Sequence, residues 1–281
     1  MVYTKEERNN HWEQILQRFF DYKKGVVLVT TNDLKSVIKD KEIRLLLYFD
    51  SEDTMPEPLR ENQIMLFPNT TKSWWLVKCE GFLTLQPITS NVIYFKSRTV
   101  FDLLSSNAGM GEQQYLLNMV NSGILKDFLK TNNPFYFSIM GKQRSKDFNL
   151  EIDGHSLKIE NPGIEIDAGF EGNDFAVVVE AKAKIISRIN KRQLYFPYMH
   201  VKRITGKETI PIFFCWDPKT KTYNLWKFKI QEDNIEKIIL IDSKKYSLHQ
   251  SKGEAANYKI PDNDKPAYIF DKQENLMYKA N

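Results

Sequence analysis

The run Phe-Ala-Val-Val-Val-Glu-Ala-Lys at 175–182 constrains this chain more than any other stretch. It opens apolar and valine-rich, and a β-branched run without alternation is a strand covered on both faces. Such a strand needs hydrogen-bonded neighbours and covering helices, which predicts an α/β fold with a mixed central sheet. The run then ends on charge. Strand alternation puts Glu180 and Lys182 on the same face, at the strand's end.

A second extended segment, 164–168, carries Asp167 at its end, and the connection 169–174 contains glycine. If the two strands form a hairpin, Asp167 and Glu180 approach each other. Two carboxylates a few ångströms apart repel unless a cation lies between them. Mg²⁺ prefers such oxygen donors and keeps waters or phosphate oxygens in its other positions. The candidate metal ligands are therefore Asp167, Glu180 and the backbone carbonyl of Ala181. A metal held there activates water and stabilises phosphoryl charge. Lys182 is placed to orient or deprotonate that water, or to neutralise the phosphate. Seen alone, Glu-Ala-Lys at a strand end reads as a solvated ion pair. The neighbouring strand ends, the glycine-containing connection and the basic, aromatic segment that follows argue for a site.

That segment, 185–195, is predicted to be a helix ended by Pro197. Arg188 and Arg192 fall one helical spacing apart and, with Lys184, form a stripe suited to phosphates. Asn190 and Gln193 carry amides that bond to phosphates or base edges. A solvated helix face is the plainer alternative. A basic loop is predicted at 141–146, with Lys142 and Arg144 as candidate DNA contacts or as an ordinary surface turn. Trp74-Trp75 with Lys72 and Lys78 is a candidate stacking patch, with at least one tryptophan expected in the core.

The N-terminal half reads as a smaller mixed α/β domain. Helices are expected at 5–22 and from Thr31-Asn32-Asp33 onward, and strands at 26–29, 45–49, 64–67, 74–77, 82–85 and 92–95. The acidic, proline-containing stretch 50–60 is expected to be a loop. The small, flexible run 105–111, behind a Leu103-Leu104 anchor, marks the predicted boundary between domains 1–105 and 106–281. A long helix is predicted over 112–130, strands over 135–139, 148–152, 157–159, 210–216 and 223–230, and a loosely packed tail from Ser251. The hydrophobic content of 42% in 281 residues supports a sizeable core, and the net charge of +4 permits a polyanionic partner without demanding one. Cys79 and Cys215 are expected to be buried free thiols, and no Cys/His cluster has zinc spacing. No apolar run is long enough to cross a membrane and no secretory leader opens the chain, so a cytoplasmic location is expected.

The Asp167 … Glu180-Ala181-Lys182 pattern resembles the PD-(D/E)XK nuclease superfamily, and within it type II restriction endonucleases. The phrase IEIDAGFEGNDFAVVVEAK and the later RQLYFPY at 192–198 carry the likeness, which spans roughly 110–230. The resemblance implies a restriction-endonuclease-like core in which Asp167 and Glu180 bind Mg²⁺ and Lys182 assists attack. It implies Glu112 as a further acid from the helix before the first core strand. It also implies sequence-specific double-strand cutting of DNA by a homodimer, with a DNA methyltransferase as genetic partner. Isoleucine stands where the motif has proline before Asp167. The Gln-x-x-x-Tyr pattern of RecB-like nucleases is not met, since Pro197 falls four after Gln193. A non-catalytic DNA-binding protein and a structure-specific repair nuclease are the alternative readings.

Overall fold

The computed structural model describes residues 3–38, 43–47, 49, 51–99, 111–249, 268–270 and 276–279. The chain opens with helix α1 (Lys5–Phe19), strand β1 (Val26–Thr30) and three short helices, α2 (Thr31–Ile38), α3 (Ile43–Leu47) and α4 (Glu57–Glu61). Strands β2 (Ile64–Pro68), β3 (Ser73–Lys78), β4 (Phe82–Thr84) and β5 (Ile93–Lys96) follow. Helices α5 (Glu112–Asn121) and α6 (Ile124–Leu129) lead to β6 (Phe135–Arg144), then to β7 (Phe148–Ile152), β8 (His155–Ile159), β9 (Gly163–Gly172) and β10 (Phe175–Lys182). Next come β11 (Arg188–Asn190), α7 (Lys191–Thr205), β12 (Glu208–Asp217), β13 (Thr222–Ile230) and β14 (Ile238–His249). A hairpin of β15 (Tyr268–Phe270) and β16 (Leu276–Lys279) is the last described element.

The fold is mixed α/β. A seven-stranded sheet in the order β5-β14-β13-β12-β10-β9-β6 forms its centre. β10 and β12 run parallel and are joined through α7, as a parallel pair requires a crossover. β5 is parallel to β14, and the other ladders are antiparallel. As its valine run foretells, β10 is covered on both faces. Val177 and Val179 pack with Leu116, Met119 and Phe128 of α5 and α6. Ala176 and Val178 belong to the opposite core, with Leu194, Tyr195 and Met199 of α7. That second core also holds Trp12 and Ile15 of α1 and Leu66 and Leu76 of the three-stranded sheet β1-β3-β2. One continuous core thus joins residues on both sides of position 105, and β5 pairs into the large sheet.

Several local expectations are corrected. The stretch expected as a strand at 45–49 is helical over Ile43–Leu47. Its Leu46 carbonyl accepts from Arg8 Nη2 at 3.1 Å and Trp12 Nε1 at 3.2 Å, which satisfies an orphan helix-end group from α1. The acidic stretch 50–60 contains a 3-10 turn and α4 instead of loop alone. The single helix expected over 112–130 is two, because Gly123 takes φ +92° between α5 and α6. The basic loop expected at 141–146 is largely strand, since β6 continues to Arg144. Pro197 does not end the helix but lies inside α7, where Leu194 through Val201 are all buried. Trp74 and Trp75 are both half-buried, so neither is fully core. Cys79 and Cys215 are buried free thiols, and burial pushes both up to about 12. Leu103-Leu104 and the boundary run before Gly111 lie outside the described residues, as does the tail from Ser251 apart from β15 and β16. Among the described residues no helix is long and apolar enough to cross a membrane.

Candidate active site

β9 and β10 are antiparallel, and their ladder closes at Val179↔Ala168, one residue short of Asp167. On the other side of β9, Ile139 pairs with Gly169 and Gly141 with Ile166, so Asp167 and Ala168 together face Met140 of β6. This is a β-bulge, a device that re-aims a side chain. Burial records the slip: Ile164 and Ile166 lie in the core under α7, whereas Ala168 and Phe170 lie in the core under α5 and α6. Gly169 is required beside it, because a Cβ there would meet Ile139 Cγ2 at 2.3 Å. Freed from the ladder, Asp167 uses its own Oδ2 to accept the Ala181 N–H at 2.8 Å. The carboxylate of one strand thereby reaches the end of the next.

Glu180 and Lys182 share a face of β10 as alternation predicts. Lys182 Nζ donates to Glu180 Oε1 at 2.5 Å, and Gln193 Nε2 of α7 donates to the same oxygen at 2.7 Å. Glu180 is only 7% exposed. Burial pushes its carboxyl up to about 8 against the pull of Lys182, and Asp167 and Glu112 push the same way as burial. Burial works against the Lys182 ammonium too, but Glu180, with Glu112 and Asp167, holds its pKa above the ordinary value. Both shifts keep protons at the site.

Asp167, Glu180, Lys182, Glu112, Lys184, Arg192 and Gln193 all line one cavity of about 720 Å³. The structure therefore brings Glu112, from the first turn of α5, to the same cavity as the other acids. Ala181 is buried and in register with Phe214 of β12. Among the described residues no group of three or more His, Cys, Asp and Glu side chains forms a ready-made metal cluster. The donors nonetheless fit Mg²⁺: they are carboxylate oxygens, and this ion is usually held by one or two carboxylates with waters and phosphates.

The candidate DNA contacts divide. Lys142, Arg144 and Lys184 are exposed, and Arg192 is half-buried on the cavity wall. Arg188 lies on β11 and not on the helix, so the expected Arg188–Arg192 stripe does not form. Its guanidinium meets Glu52 at 2.5 Å and Glu80 at 2.8 Å, over the Phe82 ring. Asn190 is the buried N-cap of α7, and its side chain accepts from Arg192 N at 3.0 Å. The Gln193 amide nitrogen is committed to Glu180. Sequence reading missed the Gln193–Glu180 bond and missed Glu165, which also lines the cavity. Glu165 stands two residues before Asp167 on the same strand, a spacing that could have drawn attention to it.

With this geometry in view, the chain's kinship is plain: it belongs to the DUF6997 family, a domain of unknown function, whose profile matches residues 77–247. The match runs from β3 through β14 and takes in the candidate acids Glu112, Asp167 and Glu180. No curated protein and no solved structure matches the chain.

Proposed function

We propose that this protein is a Mg²⁺-dependent DNA endonuclease that hydrolyses phosphodiester bonds. The observation that carries the reading is the bond from Ala181 N–H to Asp167, which gathers Asp167, Glu180 and Lys182 at one end of the β9–β10 hairpin. Asp167, Glu180 and the Ala181 carbonyl would hold the metal, which supplies Lewis-acid stabilisation and an activated water when bound. Lys182 is a fixed cation beside them, suited to orienting the water and neutralising charge on the phosphorane. Gln193 fixes the Glu180 rotamer, and Glu112 adds a further carboxylate at the cavity wall. Lys142, Arg144, Lys184 and Arg192 supply cationic surface to phosphates.

The finer reading is a type II restriction endonuclease that acts as a homodimer, because two strands need two cuts, with a DNA methyltransferase as genetic partner. Support for it comes from the wording of the 164–182 and 192–198 segments. The test incubates unmethylated plasmid and phage DNA with the protein and Mg²⁺ or Mn²⁺, then sequences fragment ends. Discrete fragments with one shared end sequence are expected. Binding to many DNAs with no cutting in either metal would sink the nuclease reading in favour of a DNA-binding protein. Cutting of branched DNA alone would replace restriction by repair.

A further inference from the structure

The cavity at the carboxylates has a neighbour. A second cavity, of about 1020 Å³, shares Phe49, Ile164, Glu165 and Arg192 with it as a common wall. Its floor is apolar, with Phe49, Leu66 and Trp74 among its lining residues. The two adjacent tryptophans of β3 play different parts. Trp75 is tied into the fold, its indole N–H donating to the Lys158 carbonyl at 3.0 Å. Trp74 lines the cavity half-buried. Arg44, Lys142 and Arg144 line the same cavity, are exposed, and among the described residues stand in no ion pair. Among the described residues that line it, the acid is Glu165.

Aromatic lining beside cations that, among the described residues, stand in no ion pair is matched by a nucleotide. The π-face of any base stacks on an indole, and phosphates pair with lysine and arginine. Small-ligand pockets span about 300–1,000 Å³, so this cavity has room for a nucleotide with its flanking phosphates. We propose that the second cavity seats one unstacked nucleotide, its base against Trp74 and Phe49 and its phosphates toward Arg44, Lys142 and Arg144. For the source of that nucleotide the inference rests on the nuclease reading: a residue of the bound DNA, drawn out of its stack beside the carboxylates. A free mononucleotide has the same chemistry, and the experiment separates the two.

Binding is measured on the full chain in EDTA, so no cleavage is needed to read it. The probes are two labelled duplexes, one fully paired and one with a single base left unpaired opposite an abasic site, and the four deoxynucleoside monophosphates. An enzyme that extrudes a base binds an already unpaired one more tightly, because the unpairing cost is absent. The unpaired duplex is expected to bind on the order of tenfold or more tightly. Trp74→Ala should weaken it by roughly 5- to 150-fold, and Trp74→Phe should restore most of that loss. If Trp74→Ala melts early, the exposed pair Lys142→Gln and Arg144→Gln carries the test, lowering affinity for the unpaired duplex more than for the paired one and so narrowing the preference, without touching the core. Trp74-dependent binding of a monophosphate, with no preference between duplexes, would support the cavity and assign it to a free nucleotide. Equal affinity for both duplexes, no bound monophosphate and no effect of the variants would overturn the inference, even in a protein that cuts DNA with Mg²⁺. A clear preference in a protein that never cuts would leave it standing and remove the nuclease reading.

Discussion

Asp167 Oδ2 accepts the backbone N–H of Ala181 at 2.8 Å, so the first acid of the site is tied to the peptide that links Glu180 to Ala181. The bond has a structural part and an electrostatic part, and they can be pulled apart. Asp167→Asn keeps an acceptor of the same shape, whereas Asp167→Ala loses the bond at a cost of about 1 kcal/mol. Both remove the charge. Urea melts should therefore rank the alanine variant below the asparagine variant, while both lose at least about 10²–10³ in cleavage rate. An asparagine variant that cuts like the wild type would show that Asp167 serves the hairpin alone.

The buried Glu180 makes the metal-free protein sensitive to alkali. Its folded pKa, about 8, lies above the ordinary carboxylate value. Between those two values the native state binds more protons than the unfolded state, so stability falls as pH rises, by at most about 1.4 kcal/mol per pH unit. Above about 8 that dependence levels off. Glu180→Gln should flatten the slope, although it leaves the Lys182 ammonium without its partner. Mg²⁺ should raise the melting temperature of the wild type at pH 8 and leave the variant unmoved. Parallel stability profiles for the two proteins in EDTA would contradict the burial argument.

Lys182 should behave as the counter-ion of a buried charge. Removing one partner of such a pair costs about 3–5 kcal/mol when the other is left charged. Lys182→Ala should thus be strongly destabilised at pH 8 and less so at pH 6, where Glu180 can take up a proton. The double variant Glu180→Gln with Lys182→Ala should recover part of the loss, though it cannot cut. Denaturant midpoints for the four corners of the cycle give the coupling, and strict additivity would refute it.

How legible this site was depends on which residue is asked about. The β9–β10 hairpin, the shared face of Glu180 and Lys182 and the double burial of β10 follow from period and composition, which are local properties. The bulge at Asp167 does not, because it is set by how β6 meets β9. The helix at Ile43–Leu47 was misread because a short apolar run fits either a strand or a buried helix, and α1 decided the matter through Arg8 and Trp12. Pro197 normally stops a helix, yet the buried residues around it in α7 outweigh one missing hydrogen bond. The second cavity lies between Trp74, Phe49 and β6, segments far apart in sequence, so no local pattern announced it.

Arg188 shows how placement changes a prediction drawn from charge alone. On a helix beside Arg192 it would face phosphate. On β11 it is held by Glu52 and Glu80, and its net contribution to the surface potential is small. Arg188→Ala should lower thermal stability, because two carboxylates lose their partner and the Phe82 ring loses its cover. The slope of log affinity for DNA against log salt should hardly move. Lys142→Gln and Arg144→Gln, on exposed positions of β6, should each reduce that slope by about one phosphate contact. Fluorescence anisotropy across a salt series, in EDTA, compares the three variants directly. A loss of slope in Arg188→Ala equal to that in the β6 variants would mean that DNA draws Arg188 away from its carboxylates.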